Sequence, residues 1–259
     1  MEVSTFQDTE PEINGYKFIE GKWQETRLSV PKEFDLTIFI NKRELVTIMC
    51  SPLKLNCLVL GYLFSEGLIK DLKDVSSMRV CEDDALADVT VNNSDFTMPE
   101  KRILTSGCGG GISFNIKVNK IYSDIKFKPE QILSLMHQML QNAASYNLTG
   151  GIHTSVICDV NKIIAMAEDI GRHNTLDKLT GECLLRKIPT KDKILLTSGR
   201  ISSEMLRKAV RMETPIIGSL TSPTERAVLL AREAGITLIG YARGNHLTVY
   251  SNLERLRDL

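Results

Sequence analysis

Three features of this sequence predict an α/β fold, with a smaller α+β region leading into a sheet covered by helices. Beyond residue 150, short apolar runs alternate with amphipathic stretches, the pattern of a largely parallel sheet with crossover helices. An amphipathic segment opening at Pro129 separates that half from a strand-rich N-terminal portion, so the boundary is set near 125, giving regions 1–125 and 126–259. The chain has 259 residues, 42% hydrophobic and 25% charged, enough to bury a sizeable core.

Taken in order, the first 30 residues are polar and mixed, with a short hairpin expected around Glu20-Gly21-Lys22. Leu36, Ile38 and Ile40 alternate with Thr37 and Phe39 as in a strand. After a turn at Asn41-Lys42-Arg43, residues 45–50 return as a second strand. Leu55, Leu58, Val59, Tyr62 and Leu63 follow helical spacing, and Gly67 is placed to end that helix. Residues 78–82 and 86–91 read as strands, and residues 105–111 as a glycine-rich loop. The Pro129 helix carries Ile132, Leu135, Met136, Met139, Leu140 and Ala143 on one face. A hairpin follows around Asp159 to Lys162, then a helix capped by Asn174. A strand at 194–197, a helix at 202–212 and a strand at 215–220 come next. Ser222, Pro223 and Glu225 suggest the start of a helix ending at Gly235. Strands at 236–242 and 247–250 complete the chain.

Lys+Arg and Asp+Glu both number 32, so no global field would draw nucleic acid or an acidic membrane surface. No apolar run reaches the length of a membrane span and the N-terminus lacks a signal-peptide pattern, so a cytoplasmic protein is expected. The six cysteines, at 50, 57, 81, 108, 158 and 183, form no C-x-x-C pair, which removes the usual zinc and dithiol patterns. No metal ligand set is assigned.

Open α/β sheets bind ligands at the carboxyl ends of their strands. Here those ends read Thr197-Ser198-Gly199-Arg200, Ser219-Leu220-Thr221-Ser222 and Tyr241-Ala242-Arg243-Gly244. Hydroxyls, glycines, arginines and helix N-termini together suit an anion such as phosphate. Taken singly each residue has an ordinary structural reading, Ser202 and Ser222 as helix caps and the arginines as solvated charge; as a set they form a ligand rim. In Glu168-Asp169-Ile170-Gly171-Arg172-His173-Asn174, Arg172 and His173 could bind an anion or move protons, or Asp169 and Arg172 could form an ion pair. Gly150-Gly151-Ile152-His153 is a weaker signal, since the glycines could serve only a turn.

Among the cysteines, Cys108 stands in Gly107-Cys108-Gly109-Gly110-Gly111, without side chains to cover it. Backbone N–H groups of such a loop can gather into an anion-binding nest that lowers a thiol pKa and activates it. An incidental loop cysteine is the alternative. A zinc deaminase is excluded: His153-Thr154-Ser155 lacks the required glutamate and no C-x-x-C follows. Nucleophile-elbow and Walker A patterns are also absent.

Several of these segments, in order, resemble the formate dehydrogenase accessory sulfurtransferase family, FdhD. They are Cys50-Ser51-Pro52, residues 60–67, the Cys108 loop, Thr149-Gly150-Gly151-Ile152-His153, residues 168–174 with Asp177-Lys178, and Ser198-Gly199-Arg200. The resemblance spans about residues 34 to 252. It implies a cytidine-deaminase-like three-layer core and a homodimer. It further implies sulfur carriage as a persulfide on Cys108, from a cysteine desulfurase to the bis-molybdopterin guanine dinucleotide cofactor, with molybdenum or tungsten, of the formate dehydrogenase catalytic subunit. The segment Tyr241, Ala242, Arg243, Gly244, Asn245 and His246 matches the family's cofactor-binding stretch. Arg172, His173, Ser198, Gly199, Arg200 and Thr221 are expected to complete the site, for which GDP is a partial mimic. Many members carry C-G-x-C in the loop, whereas Gly111 stands at the second position here, leaving the chemistry to Cys108 alone. Competing expectations are a cofactor-binding chaperone in which Cys108 is dispensable, and a guanine-nucleotide-binding regulator.

Overall fold

Two sheets organise the chain, and one buried helix joins them. The structure, a computed structural model, describes residues 10–92, 103–104, 112–113 and 120–256, the two short pieces by backbone only. Strands β1 (Glu12–Ile19) and β2 (Lys22–Ser29) form an antiparallel hairpin. Its two-residue turn places Glu20 and Gly21 at φ of 50° and 80°, the positive pair that lets a tight turn follow strand twist. Asn41 and Lys42, at 49° and 64°, do the same between β3 (Phe34–Ile40) and β4 (Arg43–Cys50).

The first large sheet has the order β4-β3-β6-β5, with β5 at Val75–Cys81 and β6 at Leu86–Val91. Leu36, Ile38 and Ile40 of β3 line its core face, as their alternation predicts. Helix α1 (Leu55–Ser65) packs on that face through Leu58, Val59 and Leu63. The sequence spacing gives α1 one apolar face, yet Cys57, Leu60 and Gly61 are buried as well. The reason is a second neighbour, the helix α4 described below. Short strands β7 (Ile103–Leu104) and β8 (Ile112–Ser113) pair antiparallel; residues 105–111, with Cys108, lie outside the described residues.

The second sheet has six strands in the order β10-β9-β11-β12-β13-β14. They are β9 (His153–Cys158), β10 (Ile163–Asp169), β11 (Ile194–Thr197), β12 (Ile216–Ser219), β13 (Thr237–Arg243) and β14 (His246–Ser251). Only β11-β12 and β12-β13 pair parallel, so the sheet is mixed rather than largely parallel. The hairpins at either end, β9-β10 and β13-β14, reverse direction where a crossover helix would have kept it. Helices α4 (Arg172–Leu185), α5 (Ser203–Arg211) and α6 (Glu225–Ala234) cover one face, and α2 (Pro129–Asn142) the other, giving three layers. A short α3 (Ala144–Thr149) follows α2.

Two helix starts differ from the sequence expectation. Asn174 does not cap α4: the helix begins after Gly171, and the Asn174 amide reaches Met49 O and Asp169 Oδ1, both at 2.8 Å. Thr224, not Ser222, caps α6, its hydroxyl accepting from Ala227 N–H at 3.3 Å. The Ser222-Pro223 pair instead remains in the strand-end loop, where Pro223 bridges to Ile201.

Helices α1 and α4 meet at two glycines. A Cβ on Gly61 would fall 1.8 Å from Asp177 O, and one on Gly181 1.9 Å from Cys57 O. Only glycine permits this approach, and it seats the first sheet's helix against the second sheet's covering layer.

Candidate functional site

Asp169 ends β10 at the sheet edge and acts as a buried hub. Its carboxylate accepts from Ser51 N at 3.0 Å, Gly171 N at 2.8 Å and the Asn174 amide at 2.8 Å, and pairs with Lys178 Nζ at 2.6 Å. Lys178 also donates to Ser51 O at 2.9 Å, and Ile170 N donates to Ser51 Oγ at 3.1 Å. With both charges wholly buried, this satisfied network fixes the turn that starts α4. It also joins two distant segments, Cys50-Ser51-Pro52 and residues 168–178, into one structural unit. Asp169 therefore has Lys178 as its ion-pair partner, and the turn carries Arg172 and His173 to the sheet edge.

A second charged network lies behind them. Lys208 of α5 grips both Asp177 oxygens at 2.7 and 2.6 Å and lies 3.9 Å from Glu66. This ties α4, α5 and the end of α1 together.

At the edge itself, His173 Nε2 lies 3.3 Å from Ser202 Oγ and 3.4 Å from Glu204 Oε2. Burial, then the positive charges of Lys208, Arg172 and Arg200, push the His173 pKa from 6.5 down to about 3. His173 is therefore a neutral hydrogen-bonding group at pH 7, not a cation. Burial and Arg172 also lower His153, whose Nδ1 lies 3.4 Å from Ser198 Oγ. Burial pushes the Glu204 carboxyl up, against the pull of Lys208. Ser202, read from the sequence as a helix cap, does cap α5, its hydroxyl accepting from Met205 N; Glu204 is the member of this cluster that the sequence reading did not single out, its place in the first turn of that helix being the available signal.

The three strand ends do converge. Leu220 N donates to Thr197 O at 3.2 Å, Ser219 Oγ to Gly199 O at 2.7 Å, and Tyr241 N to Thr221 O at 3.1 Å. Gly199 sits so close to its neighbours that an added Cβ would be 2.9 Å from Arg172 Cβ and 3.2 Å from His153 Nδ1. Residues 153, 172–173, 198–202, 219–223 and 240–243 thus follow one sheet edge. At ~4.8 Å per strand, β9 to β13 covers ~14 Å. Arg200, Tyr241, Arg243, Gly244, Asn245 and His246 are exposed there. Ala242 is not: it is fully buried in the layer under α2, so only its backbone can face a ligand. Ser198 is also buried, its Oγ accepting from Thr154 N at 3.0 Å.

Among the described cysteines, Cys50, Cys57, Cys158 and Cys183 are buried, and burial raises each thiol pKa, to about 12 for Cys50, Cys158 and Cys183. They are poor nucleophiles near neutral pH. Cys81 donates its S–H to Asp84 at 3.1 Å. Cys108 and its glycine loop lie outside the described residues. No group of three metal-binding side chains occurs among the described residues. No helix there is long and apolar enough to cross a membrane.

Residues 31–257 match the FdhD/NarQ family. The chain is 38% identical over 254 residues to the sulfur carrier protein FdhD of Bacillus subtilis, covering 94% of this chain and 96% of that protein. It is 40% identical over 253 residues to the protein of the same name from Listeria innocua, covering 93% and 96%. A crystal structure from Desulfotalea psychrophila, provisionally assigned as a formate dehydrogenase accessory protein, superposes with a TM-score of 0.80 at 25% identity, covering 96% of this chain and all of that one.

Proposed function

The chain belongs to the FdhD/NarQ family, and on that premise we propose that it carries sulfur, on Cys108, to the bis-molybdopterin guanine dinucleotide of formate dehydrogenase. The observation that carries the ligand half of this reading is the convergence of β11, β12 and β13 ends on one edge, with Arg200 and Arg243 exposed there. A guanidinium fork, hydroxyls and the start of α5 suit a diphosphate. The neutral His173 and His153 offer hydrogen bonds without adding charge.

The sulfur half rests on the family and on elimination. Four of the six cysteines have raised thiol pKa values, and Cys81 is engaged with an aspartate. In the transfer, the Cys108 thiolate attacks the outer sulfur of a cysteine desulfurase persulfide. A new S–S bond forms, the donor's S–S bond breaks, and the desulfurase cysteine leaves as its thiolate. The S–S bond of the loaded Cys108 persulfide then breaks: its outer sulfur passes to the metal of the client cofactor, which is substrate here and supplies the two electrons that make it sulfide, and Cys108 leaves as its thiolate. A homodimer with a cytidine-deaminase-like core would let two such rims hold the two guanine ends of the client.

GDP binding tests the ligand half. It should raise the unfolding temperature, and its affinity should fall with salt, because charge-assisted phosphate contacts carry much of it. No stabilisation at millimolar GDP would remove the rim as a guanine-nucleotide site. A chaperone acting by binding alone would keep this GDP effect but take up no sulfur.

A further inference from the structure

We infer that Glu204 is a positioning residue that sets which ring nitrogen of His173 carries the proton, and so whether His173 offers the ligand a donor or an acceptor. The inference rests on the nucleotide-binding reading above and adds how protons regulate that site.

The two side chains meet where two helices start at the sheet edge. His173 is the second residue of α4, and Glu204 lies in the first turn of α5. Glu204 Oε2 is 3.4 Å from His173 Nε2, and Ser202 Oγ is 3.3 Å from the same nitrogen. The His173 and Glu204 side chains are only 14% and 13% exposed, so water screens their contact little. Nδ1, the other ring nitrogen, has no hydrogen-bond partner among the described residues and is not enclosed. It is therefore the atom His173 presents to a ligand at the rim.

The surrounding charges limit the pair to two states. Lys208 and Arg207 of α5 and Arg172 and Asp177 of α4 face Glu204, while Lys208, Arg172, Arg200 and His153 face His173. Burial and these cations keep the imidazole from taking a second proton near neutral pH. Lys208 does not cancel the Glu204 charge, because it already holds both Asp177 oxygens and lies 3.9 Å from Glu66. Burial accordingly keeps the Glu204 carboxyl above its ordinary value. In the first state Glu204 is protonated and its O–H donates to Nε2, so the single ring proton sits on Nδ1. In the second, Glu204 is ionised and accepts from Nε2–H, which leaves Nδ1 a bare lone pair. The Ser202 hydroxyl serves either state, since it can donate to Nε2 or accept from it.

Loss of one proton from the pair thus turns Nδ1 from donor to acceptor and adds a negative charge among the cations of the rim. Both changes oppose an anion, because a phosphate oxygen needs a donor and is repelled by a carboxylate. Phosphate binding is strongest with Glu204 protonated and weakens as pH rises through its titration.

The test compares the chain with Glu204→Gln from pH 5 to 8.5, using GDP and inorganic pyrophosphate as probes and nitrogen NMR of the imidazoles as the direct readout. The chain has four histidines, and the His173 signals are assigned by their absence from His173→Gln. A glutamine N–H donates to Nε2 as the protonated acid does, so Glu204→Gln should keep the ring proton on Nδ1 at every pH. In the parent the proton should move from Nδ1 to Nε2 as pH rises. Both probes should bind the two proteins alike at pH 5, and the parent about tenfold more weakly at pH 8.5. The parent-to-variant ratio removes the probes' own ionisation. A parent ring proton that stays on one nitrogen over the whole range would overturn the positioning, whether or not the variant folds. An affinity ratio that does not change with pH would overturn the control of binding. A parent that binds neither probe at any pH would overturn the nucleotide-binding reading, while its spectra would still decide the pairing of Glu204 with His173.

Discussion

Lys178 and Asp169 show how much of a functional-looking motif is scaffold. The segment from Glu168 to Asn174 carries dense polarity, which at the sequence level reads equally as chemistry or as structure. In the fold, Asp169, Asn174 and Lys178 turn inward and hold the Cys50-Ser51 turn, while Arg172 and His173 reach the rim. Lys178→Met would leave Asp169 buried beside no cation, a loss of about 3–5 kcal/mol, measurable by urea unfolding. His173 makes a pH prediction. Its pKa falls from 6.5 to about 3 on folding. Between those values the unfolded chain takes up a proton that the folded chain refuses. The stability due to this group is therefore complete above pH 6.5 and is lost as pH falls toward 3. His173→Gln should flatten the decline in urea midpoint measured from pH 7 to 4. An unchanged slope would show that His173 titrates normally in the folded chain.

At the scale of elements, Gly61→Ala should destabilise the chain by at least about 1–3 kcal/mol, because its Cβ would meet the α4 backbone, which cannot yield as a side chain could. Thr224→Ala should remove about 1 kcal/mol by uncapping α6, while Ser222→Ala should leave the unfolding midpoint nearly unchanged. The contrast between those two residues marks where the sequence was legible. Periodicity gave β3, β6 and α2 closely, because each presents one face to a single core, while β11, buried on both faces, was legible as a short continuous apolar run. It gave only half of α1, because a helix packed on both sides has no polar stripe to read. It missed the helix starts at 171 and 224, because several serines, threonines and asparagines stood near each and only tertiary hydrogen bonds chose between them. Sheet direction was over-assigned although the β9-β10 hairpin was legible from its turn: alternating strands and helices suggest parallel neighbours, but after the α4 crossover β11 pairs antiparallel with β9. For the site, the three strand ends were legible from hydroxyl and arginine content. Burial of Ala242 and Ser198, and the arrival of Glu204, required the fold.

For the whole molecule, the proposed function separates two sites, a nucleotide-holding rim on the second sheet and a sulfur-carrying thiol at Cys108. These functions should separate. Arg243→Ala should weaken GDP binding while Cys108 still takes up sulfur, and Cys108→Ala should bind GDP yet take up none. The proposed role of Cys108 as the one sulfur-carrying thiol is tested by the intact mass of the chain after incubation with a cysteine desulfurase and cysteine. The expected result is a gain of about 32 Da that a thiol reductant reverses, that maps to Cys108 and that is absent from Cys108→Ala. The same reversible gain persisting in Cys108→Ala, or mapping to Cys81, would contradict it.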